Sequence, residues 1–151
     1  MVVVLGAAAD QVRADADLSG ATVVVNPDWE TGMGSSLRTG LAALRVTKAE
    51  AAIVLLVDTP GVTPAAVRRL AKGAAREALA VATYHGERGH PVLLGRDHWA
   101  GVAESAVGDV GARPYLRDHP PTEVPCEDIA DGTDLDRPTA GTDSPDRTPA
   151  R

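Results

Sequence analysis

Ile53-Val54-Leu55-Leu56-Val57-Asp58-Thr59-Pro60 is a short apolar run that ends in a carboxylate and is stopped by a proline. Five β-branched or leucine side chains in a row describe a strand buried on both faces, as in a parallel sheet covered by helices. In such sheets ligands sit beyond the carboxyl ends of the strands. Asp58 therefore stands where a metal ion or a substrate would be met. It also fits a plainer role, a turn aspartate ahead of Pro60.

Strand-like and helix-like stretches alternate on either side of this run. Met1–Leu5 and Ala21–Val25 are apolar strands, the second stopped by Asn26-Pro27. Ala51–Val57, Leu79–Tyr84, Pro91–Leu94 and Thr122–Val124 read as further strands. Helices are expected over Ala7–Ala14, from Ser35 to about Val46, from Thr63-Pro64 onward, and from Asp97 to about Ala106. Leu37, Leu41 and Leu44 share one face of the second. Val67, Leu70, Ala71 and Ala74 form the buried stripe of the third. The alternation predicts a three-layer α/β fold with a mostly parallel sheet. One domain over residues 1–138 is expected, with residues 139–151, rich in Pro, Thr, Asp, Gly and Arg, as a disordered tail.

Composition narrows the classes of partner. The chain has 151 residues, of which 44% are hydrophobic and 3% aromatic, so its core is built from Val, Leu, Ile and Ala. The net charge is −6, and from Glu127 onward there are seven acids and three bases, which leaves the body close to neutral. With no basic stripe, nucleic acid is not the expected partner. No apolar run approaches the length of a membrane helix. Cys126 is the only cysteine, which offers neither a disulfide frame nor a zinc site and suits a reducing cytoplasm. The Ala and Gly load and the preference for arginine over lysine hint at a GC-rich bacterial genome.

Several other stretches could carry chemistry. Gly32-Met33-Gly34-Ser35-Ser36 leads into a helix. Its glycines would let a ligand approach the backbone, and free N–H groups at a helix start favour anions. Equally, it is a flexible loop with Ser35 as N-cap. No Gly-Lys-Ser/Thr follows, so it is not a P-loop. In Asp134-Leu135-Asp136 the two carboxylates fall on one side of an extended segment. They could complete a metal site with Asp58 or belong to a solvated acidic tail. His90 sits at a turn, and Arg113 follows Gly108-Asp109-Val110-Gly111-Ala112. Either could meet a phosphate, and either could be a surface residue. Trp29 and Trp99 read as packing residues.

The order of these pieces is more specific than any one of them. Asn26-Pro27-x-Trp29, Gly32-Met33-Gly34-Ser35-Ser36-Leu37-Arg38-x-Gly40, Asp58-x-Pro60, Gly89-His90-Pro91-Val92-Leu93, Gly108-Asp109-x-Gly111-Ala112-Arg113 and Asp134-Leu135-Asp136-x-Pro138 follow one another in sequence. In this order the chain resembles the MobA-like nucleotidyltransferase family, nearest its molybdenum cofactor cytidylyltransferase branch, from about Met1 to Thr139. The resemblance implies a Rossmann-like, glycosyltransferase-A-like α/β fold. It implies an enzyme that binds an NTP (CTP or GTP favoured) with Mg²⁺, or Mn²⁺ in its place. Such an enzyme transfers NMP to a phosphorylated acceptor such as a molybdopterin-type cofactor and releases pyrophosphate.

Carried over residue by residue, Asp58 matches the metal aspartate, and Asp136 or its neighbour Asp134 matches the second carboxylate. Gly34, Ser35 and Ser36 match the nucleotide loop. His90, Asp109 and Arg113 lie in segments that match the acceptor side.

One part of the family pattern is absent. Members of the family begin with a strand, Leu-Ala-Ala-Gly, a variable stretch, Arg-Met-Gly and a lysine, which together cradle the triphosphate. Here Leu5-Gly6-Ala7-Ala8-Ala9 leads to Asp10 instead, and Met1–Leu5 matches the second strand of the family. The expected fold is thus N-terminally truncated, with a gap where a central strand would lie, and inactive as it stands. The alternatives are a non-catalytic remnant that binds a nucleotide or a partner, and an unrelated small-molecule-binding α/β domain.

Overall fold

The computed structural model describes residues 1–135. Asp136, the second expected metal carboxylate, and the expected tail over residues 139–151 lie outside them. Six strands and five α-helices follow in the order β1 (Val2–Leu5), α1 (Ala9–Asp15), β2 (Thr22–Val25), α2 (Met33–Arg45), β3 (Ala51–Val54), α3 (Pro64–Ala71), β4 (Leu79–Tyr84), β5 (Glu87–Gly95), α4 (Trp99–Ser105), α5 (Arg113–Asp118) and β6 (Thr122–Pro125).

The strands form two sheets. β1 and β2 pair in parallel, and the other four lie in the order β3-β5-β4-β6. β4 and β6 are parallel, whereas β5 runs antiparallel to both β3 and β4. The mixture has a local cause. His85 and Gly86 join β4 to β5 with φ of 52° and 87°, a two-residue hairpin turn with both residues left-handed. The hairpin takes the place of a helical crossover, and β5 begins at Glu87, four residues before the strand expected from Pro91.

The four-stranded sheet is covered on both faces. Val81, Val92 and Leu94 point to one side, with Leu37, Leu41 and Leu44 of α2, Trp99 and Val102 of α4 and Leu116 of α5. Ala80, Ala82 and Leu93 point to the other, against Ala66 and Leu70 of α3 and Cys126. The alternation along β4 and β5 is the period-2 pleat expressed as three layers. Trp99 is 2% exposed, its indole N–H donating to the Leu94 carbonyl. Trp29 is only half packed: its Cβ lies under Gly6 while 43% of the residue is exposed.

Some element ends depart from expectation. Thr63 caps α3 as the Thr-Pro pair suggests, its hydroxyl accepting from the Ala66 N–H. Within that helix Ala66 and Leu70 are buried, while Ala71 is exposed and Ala74 lies past the end, also exposed. Asp97 does not cap α4, which starts at Trp99, and its carboxylate pairs with Arg76 instead. β3 ends at Val54, leaving Leu55 49% exposed and Val57 fully exposed. After the pair Val54↔Val92, the next hydrogen-bonded partner for β3 would be His90, which lies in a break of register between β4 and β5.

Among the described residues the two sheets have four open edges, of which those of β1 and β3 flank the break. The N–H of Thr22 bonds Met1 and that of Asn26 bonds Leu5, so the odd positions of β1 face β2 and the peptide groups of Val2 and Val4 point away. The Arg96 N–H bonds Glu50, so the even positions of β3 face β5 and those of Ala51 and Ile53 point outward. All four β1 residues are only half buried. α2 spans the break: Gly40 lies against Val4 of β1, and the leucines of the same helix pack with Ala52 and Val54 of β3.

Candidate functional site

β4 and β6 run parallel to each other and β5 opposes both β3 and β4, so β3, β4 and β6 end on one side of the sheet. Asp58 lies four residues past the end of β3, in an exposed loop. This loop is held from inside by Thr59, 4% exposed, whose hydroxyl donates to the Leu56 carbonyl.

The chain beyond β6 returns across that loop as a strap. The Thr63 hydroxyl donates to the Ile129 carbonyl, the Asp131 N–H bonds the Gly61 carbonyl at 3.0 Å, and the Leu135 N–H bonds the Asp58 carbonyl at 2.7 Å. Gly61 permits the close passage, since a Cβ there would stand 2.5 Å from the Asp131 carbonyl oxygen. Asp134 is thereby carried to the Asp58 loop. Both carboxylates are exposed.

His90 belongs to the same neighbourhood. The Gly95 N–H bonds Ala78, so the odd positions of β5 face β4, and Pro91 has no N–H to offer where Ala82 would pair. The register shifts there, Ala82 pairing with Gly89, and His90-Pro91 bulge out of the ladder. Burial holds the His90 imidazole below its ordinary pKa. The nearby Asp134 and Asp58 carboxylates pull the other way, and Arg113 adds to the lowering. Asp58, Asp134, His90 and Arg113, distant in sequence, thus share one electrostatic environment.

A second cluster forms where β2 meets α2. Asn26, 1% exposed, donates through its amide to the hydroxyls of Ser35 (2.7 Å) and Ser36 (3.0 Å), and its oxygen accepts from the Asp28 N–H. The Ser35 hydroxyl is within hydrogen-bond reach of the Asp28 and Gly32 carbonyls. The helix starts at Met33 with Gly32 at the cap position, two residues before the expected start, and Ser35 lies in its first turn. The first N–H groups are satisfied from across the chain: Met33 by the Asp109 carboxylate at 3.1 Å and Gly34 by the Gly108 carbonyl at 2.8 Å. Gly34 allows this approach, for a Cβ would lie 2.5 Å from the Ala106 carbonyl oxygen. Arg38, one turn on, donates to the same carbonyl.

Asp109 therefore belongs with the α2 cluster and Arg113 with the Asp58 cluster. The 108–113 loop links the two. Asn26 was legible as a strand stop and as part of the Asn26-Pro27-x-Trp29 motif, but its bonds to Ser35 and Ser36 were not. Among the described residues no three His, Cys, Asp or Glu side chains close around one point. Asp58 and Asp134 offer oxygen donors alone, which suits a hard cation such as Mg²⁺ or Mn²⁺ that completes its shell with water and phosphate.

Comparison with known proteins bears on the family and the fold. Residues 1–124 match the MobA-like NTP transferase domain. The nicotine blue oxidoreductase of Paenarthrobacter nicotinovorans is 38% identical over 145 residues, which is 90% of this chain and 70% of that protein. A crystal structure of Rv0371c from Mycobacterium tuberculosis H37Rv in complex with manganese is 32% identical, with a TM-score of 0.69 over 82% of this chain and 65% of that one. A nucleotidyl transferase from Methanothermobacter, 20% identical, shares the fold with a TM-score of 0.67 over 82% of this chain and 62% of its own. The chain thus spans under two thirds of these solved relatives. A match over most of the length, with the α/β architecture in common, shows that the chain belongs to the MobA-like NTP transferase family.

Proposed function

We propose that this chain forms the metal- and acceptor-facing body of a nucleotidyltransferase that moves NMP from an NTP, CTP or GTP, to a phosphorylated acceptor of the molybdopterin type. The observation that supports this reading is the strap bond from the Leu135 N–H to the Asp58 carbonyl, which brings the backbone next to Asp134 onto the Asp58 loop beyond β3. Asp58 and Asp134, with Asp136 two residues on, would hold the divalent cation, as the manganese found in a relative also suggests. The cation would supply charge neutralisation on the phosphates.

The remaining roles fall to side chains and backbone. The first turn of α2, Gly34–Ser36, held by Asn26 and by Asp109 at the helix start, would orient the nucleotide, and His90 and Arg113 would line the acceptor side. An acceptor phosphate oxygen attacks the α-phosphorus in line; the bond to the bridging oxygen breaks, and pyrophosphate leaves with that electron pair. Arg113 would meet the growing negative charge.

Residues 1–151 contain no Arg-Met-Gly…Lys segment, and Lys48 and Lys72 sit past the ends of α2 and α3. Turnover by this chain alone is therefore expected to be absent or slight. The test is calorimetric titration with CTP and GTP, with and without Mg²⁺, alongside a pyrophosphate-release assay. Asp58→Asn should weaken metal-dependent binding by about tenfold or more with the thermal midpoint unchanged. Binding indifferent to both Mg²⁺ and Asp58 would return the chain to a general small-molecule-binding α/β domain. Robust pyrophosphate release would refute the expected inactivity.

A second reading follows from the Paenarthrobacter relative, whose name makes it an oxidoreductase of nicotine blue. A site that takes a nucleoside phosphate can also take one end of a nicotinamide dinucleotide. Reduction of the dye by NADH or NADPH above the uncatalysed rate would favour it, and no acceleration would leave the transferase reading alone.

A further inference from the structure

Tyr84, the last residue of β4, stands outside the proposed ligand residues. Its hydroxyl donates to the His90 carbonyl at 2.7 Å. A Cβ on Gly89 would lie 3.1 Å from its Cδ2–Cε2 edge, and one on Gly132 would overlap that same edge. Gly132 belongs to the strap, between the Asp131 N–H that bonds Gly61 and the Leu135 N–H that bonds Asp58. The ring is half buried and packs on the α3 side of the core. One side chain therefore touches the bulge that presents His90 and the strap that presents Asp134, while itself anchored in the sheet.

We propose that Tyr84 is a positioning residue for the metal and acceptor site, its ring seating the 131–135 strap on the Asp58 loop and its hydroxyl fixing the His90 bulge. This rests on the transferase reading for the identity of the site, but the seating is a property of the chain itself. The strap is joined to the Asp58 loop by two backbone bonds and has few other partners, so a loose strap leaves Asp134 with no fixed place. Two glycines against one ring edge also explain residue choice: any side chain at 132 would lift the strap away.

The experiment is amide hydrogen exchange followed by NMR, together with the affinity for Mn²⁺ alone read from the paramagnetic signal of the free ion. The variants are Tyr84→Leu, Tyr84→Phe and Gly132→Ala. In Tyr84→Leu and Gly132→Ala the amides of Asp131 and Leu135 should exchange about tenfold faster, while those of Leu93 and Leu94 in β5 keep their wild-type rates. Mn²⁺ affinity should fall by about 10-fold or more in both. Tyr84→Phe keeps the ring and should restore strap protection and most of the affinity.

Wild-type exchange of Asp131 and Leu135 in Gly132→Ala would overturn the proposal. That variant decides the matter even if Tyr84→Leu fails to fold, because Gly132 lies outside the core. Loss of affinity with the strap still protected would also count against it. A wild-type chain that binds no Mn²⁺, yet loses strap protection in the variants, would remove the metal reading and leave the seating role of Tyr84 standing.

Discussion

His90 shows how a single residue records its surroundings. The Pro91 nitrogen cannot donate, the ladder with β4 slips, and the histidine bulges out of the ladder into a partly buried position where two carboxylates and an arginine act on it. Burial is the largest of the influences on it and favours the neutral ring. The sign of the stability effect follows. The unfolded chain takes up a proton near pH 6.5, whereas the folded chain resists until a lower pH. The contribution of His90 is therefore complete above that value and is lost as the pH falls through the lowered folded pKa. Denaturant unfolding at pH 7.5, 6 and 5 should show a shallower acid loss in His90→Gln than in the wild type. Equal slopes in the two proteins would clear His90 of that role.

Among the elements, α2 shows what can be read locally and what cannot. Its apolar face, Leu37, Leu41 and Leu44, was legible from spacing and packs as expected. Its start was not. Ser35 looked like a cap because serine is a good one, yet the helix begins at Met33 because Gly108 and Asp109, over seventy residues away, supply the acceptors. β3 likewise read as running to Val57, since five apolar residues suggest a strand, and the reason it stops is a bulge in a different strand. Thr63-Pro64 was legible because its cap is made within the same turn. The candidate site follows the same rule: Asp58 and Asp134 could be named from sequence, but Asn26 and Tyr84, which act through distant partners, could not.

Two substitutions test these long-range ties at the level of the element. Gly34→Ala places a methyl against the Ala106 carbonyl and should cost about 1–3 kcal/mol by denaturant unfolding, with faster exchange at Met33 and Gly34 as loop 106–109 is pushed off. Arg96→Ala removes donors to the Arg45, Thr47 and Ala49 carbonyls, the joint between α2 and β3. Its cost should be about 1.5–3 kcal/mol. A loss well under that range would mean water takes over those carbonyls at no penalty.

For the whole molecule, the decisive feature is the break between β1 and β3. A two-stranded sheet is marginal by itself, so β1-β2 depends on α2 to join it to the rest. Val2 and Val4 on one side, and Ala51 and Ile53 on the other, present peptide groups with no strand partner. Leu55 and Val57 extend the apolar surface beyond β3. Unpaired edges of this kind template pairing with another chain, and natural proteins blunt them with lysine or proline. No lysine or proline stands in β1 or β3. Residues 1–151 should therefore self-associate as concentration rises, by sedimentation velocity, and Val2→Lys should shift that association to higher concentration. Hydrogen exchange adds a second check, because the amides of Val2 and Val4 should be open in dilute solution and gain protection as the chains pair. A monodisperse monomer across the concentration range would mean that the helix layer shields these edges, and that α2 does more than bridge the two sheets.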